Sequence, residues 1–137
     1  MELNTRNAAA QEWTVLQKLH ERYEYGALTI KLTAVVLFFA GLVVELHGTW
    51  LALLVALLWL QEGIFKTYQG RLGSRLLVLE QGIASGELTR VFALHSDWLA
   101  QRKGLIGQVR EDLGSTVRPT VAFPYLVLLV LTWVFYL

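Results

Sequence analysis

Apolar positions fall in three long blocks, and the charged positions lie mostly between the blocks. The first block runs from Ala27 to Leu46, ALTIKLTAVVLFFAGLVVEL. The second, Gly48 to Phe65, holds an uninterrupted apolar stretch from Trp50 to Leu60. The third, Thr120 to Leu137, carries no charge at all. At ~1.5 Å rise per residue, some 20 helical residues cover ~30 Å, the thickness of a bilayer's hydrocarbon core. So short a chain has too little amphipathic sequence to shield three such helices from water. The pattern predicts an all-α fold: an integral membrane bundle of three transmembrane helices with additional amphipathic cytoplasmic helices, forming a single unit over 1–137.

Helical periodicity continues outside the blocks. In the arm, 1–26, Trp13, Leu16, Leu19, His20 and Tyr23 recur at spacings of three and four. Glu12, Lys18, Glu21 and Arg22 fall mostly elsewhere, which predicts an amphipathic helix. Asn4 or Thr5 is its expected cap, and Gly26 is the one weak point before the first span. The connector, 66–118, carries the stripe Leu72, Leu76, Leu79 and Ile83, which would prolong the second span into the cytoplasm. A break is expected at 83–86. Ser96 then caps a helix bearing Trp98, Leu99, Leu105, Ile106, Val109 and Leu113, ended by Gly114, and Arg118-Pro119 punctuates entry to the third span. Leu72, Leu76, Leu79, Trp98, Leu105 and Val109 are the predicted cytoplasmic assembly face.

Charge supplies the orientation. All twelve lysines and arginines lie in the arm, in the first turn of span one at Lys31, or in the connector. The 45–48 turn and the C-terminal end have none. By the positive-inside rule the N-terminus and connector are cytoplasmic, and the short turn and Leu137 face outside, as in a multi-pass bacterial inner-membrane protein. The arm lacks the basic start and short apolar run of a secretory signal, so the first block reads as a retained span. A net charge of +1 gives no basic footprint for nucleic acid, and the absence of cysteine removes disulfides, thiolate metal sites and thiol nucleophiles.

A charge inside a span costs on the order of 2.5–3.5 kcal/mol at the bilayer centre, so such residues are candidates for a role. Lys31 lies one turn inside span one, and Glu62, with Gln61 beside it, lies near the same end of span two. In a hairpin folded at His47, Lys31 meets the level of residues 62–64, which makes Lys31, Gln61 and Glu62 the predicted intramembrane polar group. Its alternatives are a salt bridge, a lysine snorkelling to the headgroups, or part of a proton or ion path. Small residues Gly48, Ala52 and Ala56 repeat every fourth position on span two, with Ala34 and Gly41 among the counterparts on span one, a spacing that lets helices approach closely in lipid. Glu45 and His47 flank the outer turn, but a metal site needs more ligands than these two. No metal or cofactor is predicted.

No glycine-rich phosphate loop, HExxH, GxSxG or pair of intramembrane carboxylates occurs, so nothing in the chain asks for an enzyme. The expected function is non-enzymatic and works by helix association: a homo-oligomer, with a pore as one form it can take. An accessory or immunity-type subunit bound to a larger membrane protein is the alternative, and a small lipid-modifying enzyme the weaker one. The expected partners are the lipid bilayer and either further copies or a membrane protein.

Overall fold

The computed structural model describes residues 2–86 and 104–136. They form four helices: α1 (Glu2–Val43), α2 (Gly48–Ser85), α3 (Leu105–Thr116) and α4 (Pro119–Tyr136). Three of them, α1, α2 and α4, are long and apolar enough to cross a membrane. Helices α1 and α2 form a long antiparallel hairpin. At ~1.5 Å per residue they run ~60 Å each, about twice a hydrocarbon core, and α3 and α4 return along α2.

The arm and the first apolar block are one unbroken helix, so Gly26 is helical and Asn4 and Thr5 lie inside α1 rather than capping it. The ~1 kcal/mol that a mid-helix glycine costs is small beside the packing of α1 on α2 along most of its length. As the Leu72–Ile83 stripe predicts, α2 runs on past Phe65, through Gly70 and Gly73 to Ser85, and Gly86 in the left-handed conformation (φ 75°) ends it within the expected 83–86 break. The helix expected from Ser96 falls partly outside the described residues, Trp98 included. Its described part, α3, begins at Leu105 and passes through Gly114 to Thr116. Pro119 opens α4, where a missing N–H costs nothing.

The turn between α1 and α2 closes by a Schellman arrangement. Leu46 N donates to Gly41 O (2.8 Å) and Glu45 N to Leu42 O (3.2 Å), with Glu45 itself left-handed at φ 54°. His47 caps α2, its Nδ1 accepting from Thr49 N at 3.3 Å. Tyr136 at the far end of α4 folds over this turn, its hydroxyl donating to Leu46 O.

Two apolar cores follow one another along the rod. Ala34, Phe38, Leu51, Val55, Tyr125 and Leu128 pack where α1, α2 and α4 meet. Ala9, Leu16, Leu72, Leu76 and Leu79 pack between the extensions of α1 and α2. Leu72, Leu76 and Leu79, expected as an assembly face, are therefore covered by the chain's own arm, whereas Leu105 and Val109 stay exposed. The expected small-residue stripe is rotated. Gly48 is buried and a Cβ there would meet Tyr136 Cγ at 2.7 Å, so it receives α4; Ala52 is half-buried and Ala56 exposed. Gly41 and Ala34 do face α2, and a Cβ on Gly41 would lie 2.7 Å from Leu51 Cδ1.

Around the upper core the outer surface is apolar: Val36, Phe39, Val43, Trp50, Leu57, Phe123, Val130 and Val134 are all exposed. A protein folded for water does not turn so continuous a girdle outward.

The tightest helix contact is at Gly63, where an added Cβ would fall 1.9 Å from Thr116 Oγ1 and 3.1 Å from the Thr116 Cα. Backbone cannot yield there, so Gly63→Ala is expected to lower stability by about 1–3 kcal/mol. Gly70→Ala, with nothing within 4 Å of the new Cβ, is expected to leave stability unchanged or raise it by about 0.5–1 kcal/mol. Thermal melts of the two variants in one detergent check the pair; equal melting temperatures would contradict the packing.

Candidate functional site

Each of three helices delivers one polar group to a single level of the bundle. Lys31 comes from α1, Glu62 from α2 and Tyr125 from α4. Glu62 is fully buried. Its Oε2 accepts from the Tyr125 hydroxyl at 2.6 Å, and its Oε1 lies 3.1 Å from Lys31 Nζ. That second contact is one of charge and not of direction: Oε1 is buried without a hydrogen bond of proper geometry although the ammonium is beside it. The Lys31 side chain is 27% exposed, so the pair lies at the edge of the bundle rather than sealed inside it. Gln61 points outward and is exposed, apart from this cluster.

Lys31 has a second acceptor, the carbonyl of Thr120, at 3.2 Å. In an α-helix that carbonyl would accept from the N–H of residue 124. Residue 124 is proline and has none. Pro124 thus leaves a free carbonyl one turn from Tyr125, and Lys31 fills it. One turn earlier α3 ends, and the Thr116 carbonyl at that end accepts from Trp59 Nε1 at 2.8 Å. The Trp59 ring also stacks on Tyr125, with centroids 6.2 Å apart and planes within 8°. The Thr116 and Thr120 carbonyls are thus each taken by a side chain of the hairpin.

A polar belt continues beyond the charged level. Thr67 Oγ1 lies 2.9 Å from Ser115 Oγ and donates to Gly63 O at 3.2 Å, both hydroxyl residues buried. Next, Lys66 bridges Glu24 (2.9 Å) and Gln69 (3.0 Å), and Gln69 also donates to Glu24. The Gln69 hydrogen bond, then the Lys66 ammonium, hold the Glu24 carboxyl below its usual range. Deeper in the second core Arg75 grips Glu12 with two bonds, Nε–Oε1 2.9 Å and NH2–Oε2 3.3 Å, both side chains only 5% exposed. Glu12 therefore sits on the apolar face of α1 and not off it. Arg71 reaches Glu111 of α3 at 3.6 Å.

Sequence reasoning brings Lys31 and Glu62 to one level but misses Tyr125, Trp59 and the Thr120 carbonyl. Two signals were present: a phenol near the start of the third span, at the same end as Lys31 and Glu62, and a proline that strips a donor from the same helix. Glu45 and His47 serve the turn, and among the described residues no group of three or more histidine or acidic side chains is placed to hold a metal. Compared with protein-family models, with characterised proteins and with solved structures, the chain matches none.

Two outcomes follow from this geometry. Lys31→Met strands a buried carboxylate, whereas Glu62→Gln leaves an ammonium that can turn outward, so Lys31→Met is expected to destabilise more. The double variant should be milder than the two single losses added, by a coupling of about 0.5–3 kcal/mol; strict additivity in a double-mutant cycle would refute the pairing. For Glu24 the folded pKa is depressed, so its contribution is present above the unfolded value and is lost as pH falls below about 4.5. Melts across pH 3–7 should show an acid loss that is smaller in Glu24→Gln.

Proposed function

We propose that the chain is a non-enzymatic, three-span protein of the bacterial inner membrane that works by associating with a second copy of itself. In this reading α1, α2 and α4 cross the bilayer with the Lys31 level near the cytoplasmic leaflet. The N-terminus, the hairpin extension and α3 are cytoplasmic, and Tyr136 lies outside, following the distribution of basic residues.

The observation that carries the reading is the contrast between Glu62 and Gln61. Lys31 and Glu62 close on one another within one chain, and Gln61 is exposed at the same level, an amide on a girdle otherwise made of apolar side chains and a few threonines. An amide facing lipid has a strong reason to find a partner. It is also self-complementary, offering both a donor and an acceptor, so across a two-fold axis Gln61 pairs with its own counterpart. A pore lined by Lys31 and Glu62 would require both to leave the partners they have, so association rather than conduction is the function put forward.

A second reading, an accessory subunit bound to a larger membrane protein, is favoured by α3. Leu105 (78% exposed), Ile106 (86%), Val109 and Leu113 form an apolar stripe on it, and in this reading that stripe stands in water beyond the spans.

The lack of native cysteine allows a direct test. In native membranes, oxidation of Gln61→Cys is expected to give a disulfide-linked dimer, while Phe123→Cys, on another face, gives far less. Equal cross-linking at the two positions, or a monomer mass for the wild-type chain in lipid nanodiscs, would sink the self-association reading. A monomer whose co-purifying membrane protein is lost on Ile106→Glu would establish the second.

A further inference from the structure

We infer that the Glu62 carboxylate and the Thr120 carbonyl form a seat for a small monovalent cation, which the Lys31 ammonium occupies as a tethered competitor. The inference stands apart from self-association and needs only the bundle itself.

Three features of the site lead to it. First, the two oxygens that meet Lys31 Nζ, at 3.1 and 3.2 Å, come from different helices and are of the kinds that bind hard cations: one anionic carboxylate and one backbone carbonyl freed from its helix. The carbonyl is free because Pro124 cannot donate to it. Helices interrupted within a bilayer present unpaired carbonyls to cations in this way. Second, Glu62 Oε1 is buried and satisfied by charge without a directed hydrogen bond. A spherical ion asks only for proximity to oxygen, whereas an ammonium works best when its N–H bonds point at acceptors. The two oxygens therefore supply part of a small cation's shell, without needing the alignment that Glu62 Oε1 lacks toward its present occupant. Third, the seat opens sideways. Lys31 is 27% exposed and Thr120 is exposed, so an ion could exchange with Lys31 without passing through the apolar core. The other oxygen of Glu62 stays held by Tyr125, which fixes the carboxylate while the occupant changes.

The probes are sodium, potassium and methylammonium, with N-methylglucamine as a cation too bulky to enter, all as chlorides at matched ionic strength. In wild-type protein Lys31 fills the seat, and the melting temperature in detergent should not depend on which cation is present. In Lys31→Met the seat is vacated. Its melting temperature should climb by several degrees with at least one small cation, saturate, and stay low in N-methylglucamine. Lys31→Met/Glu62→Gln should be indifferent to all four. Adding Pro124→Ala to Lys31→Met returns a donor to Thr120 and should weaken the cation response severalfold. Should Lys31→Met fold poorly, the yield of folded protein from membranes solubilised in each salt replaces the melt, and folding rescued by small cations alone supports the seat. A Lys31→Met protein that behaves identically in all four salts, including one that folds in none, overturns it. So does a wild-type chain that responds as strongly as the variant, or a double variant that responds at all.

Discussion

Everything in the upper bundle depends on hiding one carboxylate. Removing an ionised group from water costs several kcal/mol even after the surroundings relax, and a single partner rarely repays it. Glu62 is fully buried and takes one partner from each of the other two long helices, Lys31 from α1 and Tyr125 from α4. The consequence is specificity rather than raw stability. Apolar helices in lipid have no hydrophobic reason to prefer one rotation or depth over another. A buried acid that must meet an ammonium on one side and a phenol on the other removes most of the alternatives at once. It sets the level of α1 against α2 and turns α4 so that Tyr125 faces inward.

The return strand is built to serve that level. Two prolines interrupt it, Pro119 at the α3–α4 junction and Pro124 one turn into α4. Inside an apolar layer a broken helix is tolerated only where neighbouring groups accept the released backbone. Trp59 takes the Thr116 carbonyl and Lys31 takes that of Thr120. Since Trp59 also stacks on Tyr125, and Lys31 also meets Glu62, the two repairs and the buried acid are one network. Gly63 lets α3 approach closely enough for that network to close.

How much of this was legible in the sequence depends on which quantity is asked for. Depth along a helix is counted in residues, so the three blocks were readable, and so was the common level of Lys31 and Glu62 about the 45–48 turn. Rotation about a helix axis is a different matter. It is decided by a third helix whose approach no count along α1 or α2 reveals. Hence Gly48 receives Tyr136 of α4 and Ala56 is exposed, although the two share a four-residue repeat. The end of α2 in the 83–86 break was readable too, but Asn4 and Thr5 lie inside α1 rather than capping it, and Gly26 and Gly114 are helical because neighbouring helices support them. Glu12 was assigned to the polar face for want of its partner. Its burial makes sense only once Arg75, 63 positions away, is known to lie opposite.

The two cores solve one problem in two solvents. Along the hairpin extension, which we read as cytoplasmic, burial of Leu72, Leu76 and Leu79 against α1 is driven by water, and the Glu12–Arg75 clamp adds register. Among the apolar helices, which we read as spanning lipid, no such drive acts, and register comes from Glu62 with its partners. Because α1 and α2 run unbroken through both regions, the two registers constrain each other: a shift of one helical turn at Glu62 would carry Arg75 away from Glu12. The inward-facing charges of the hairpin thus find their partners within one chain. Among the described residues that point outward are the Gln61 amide on the girdle and the apolar stripe of α3, and the association proposed for this chain is built from those.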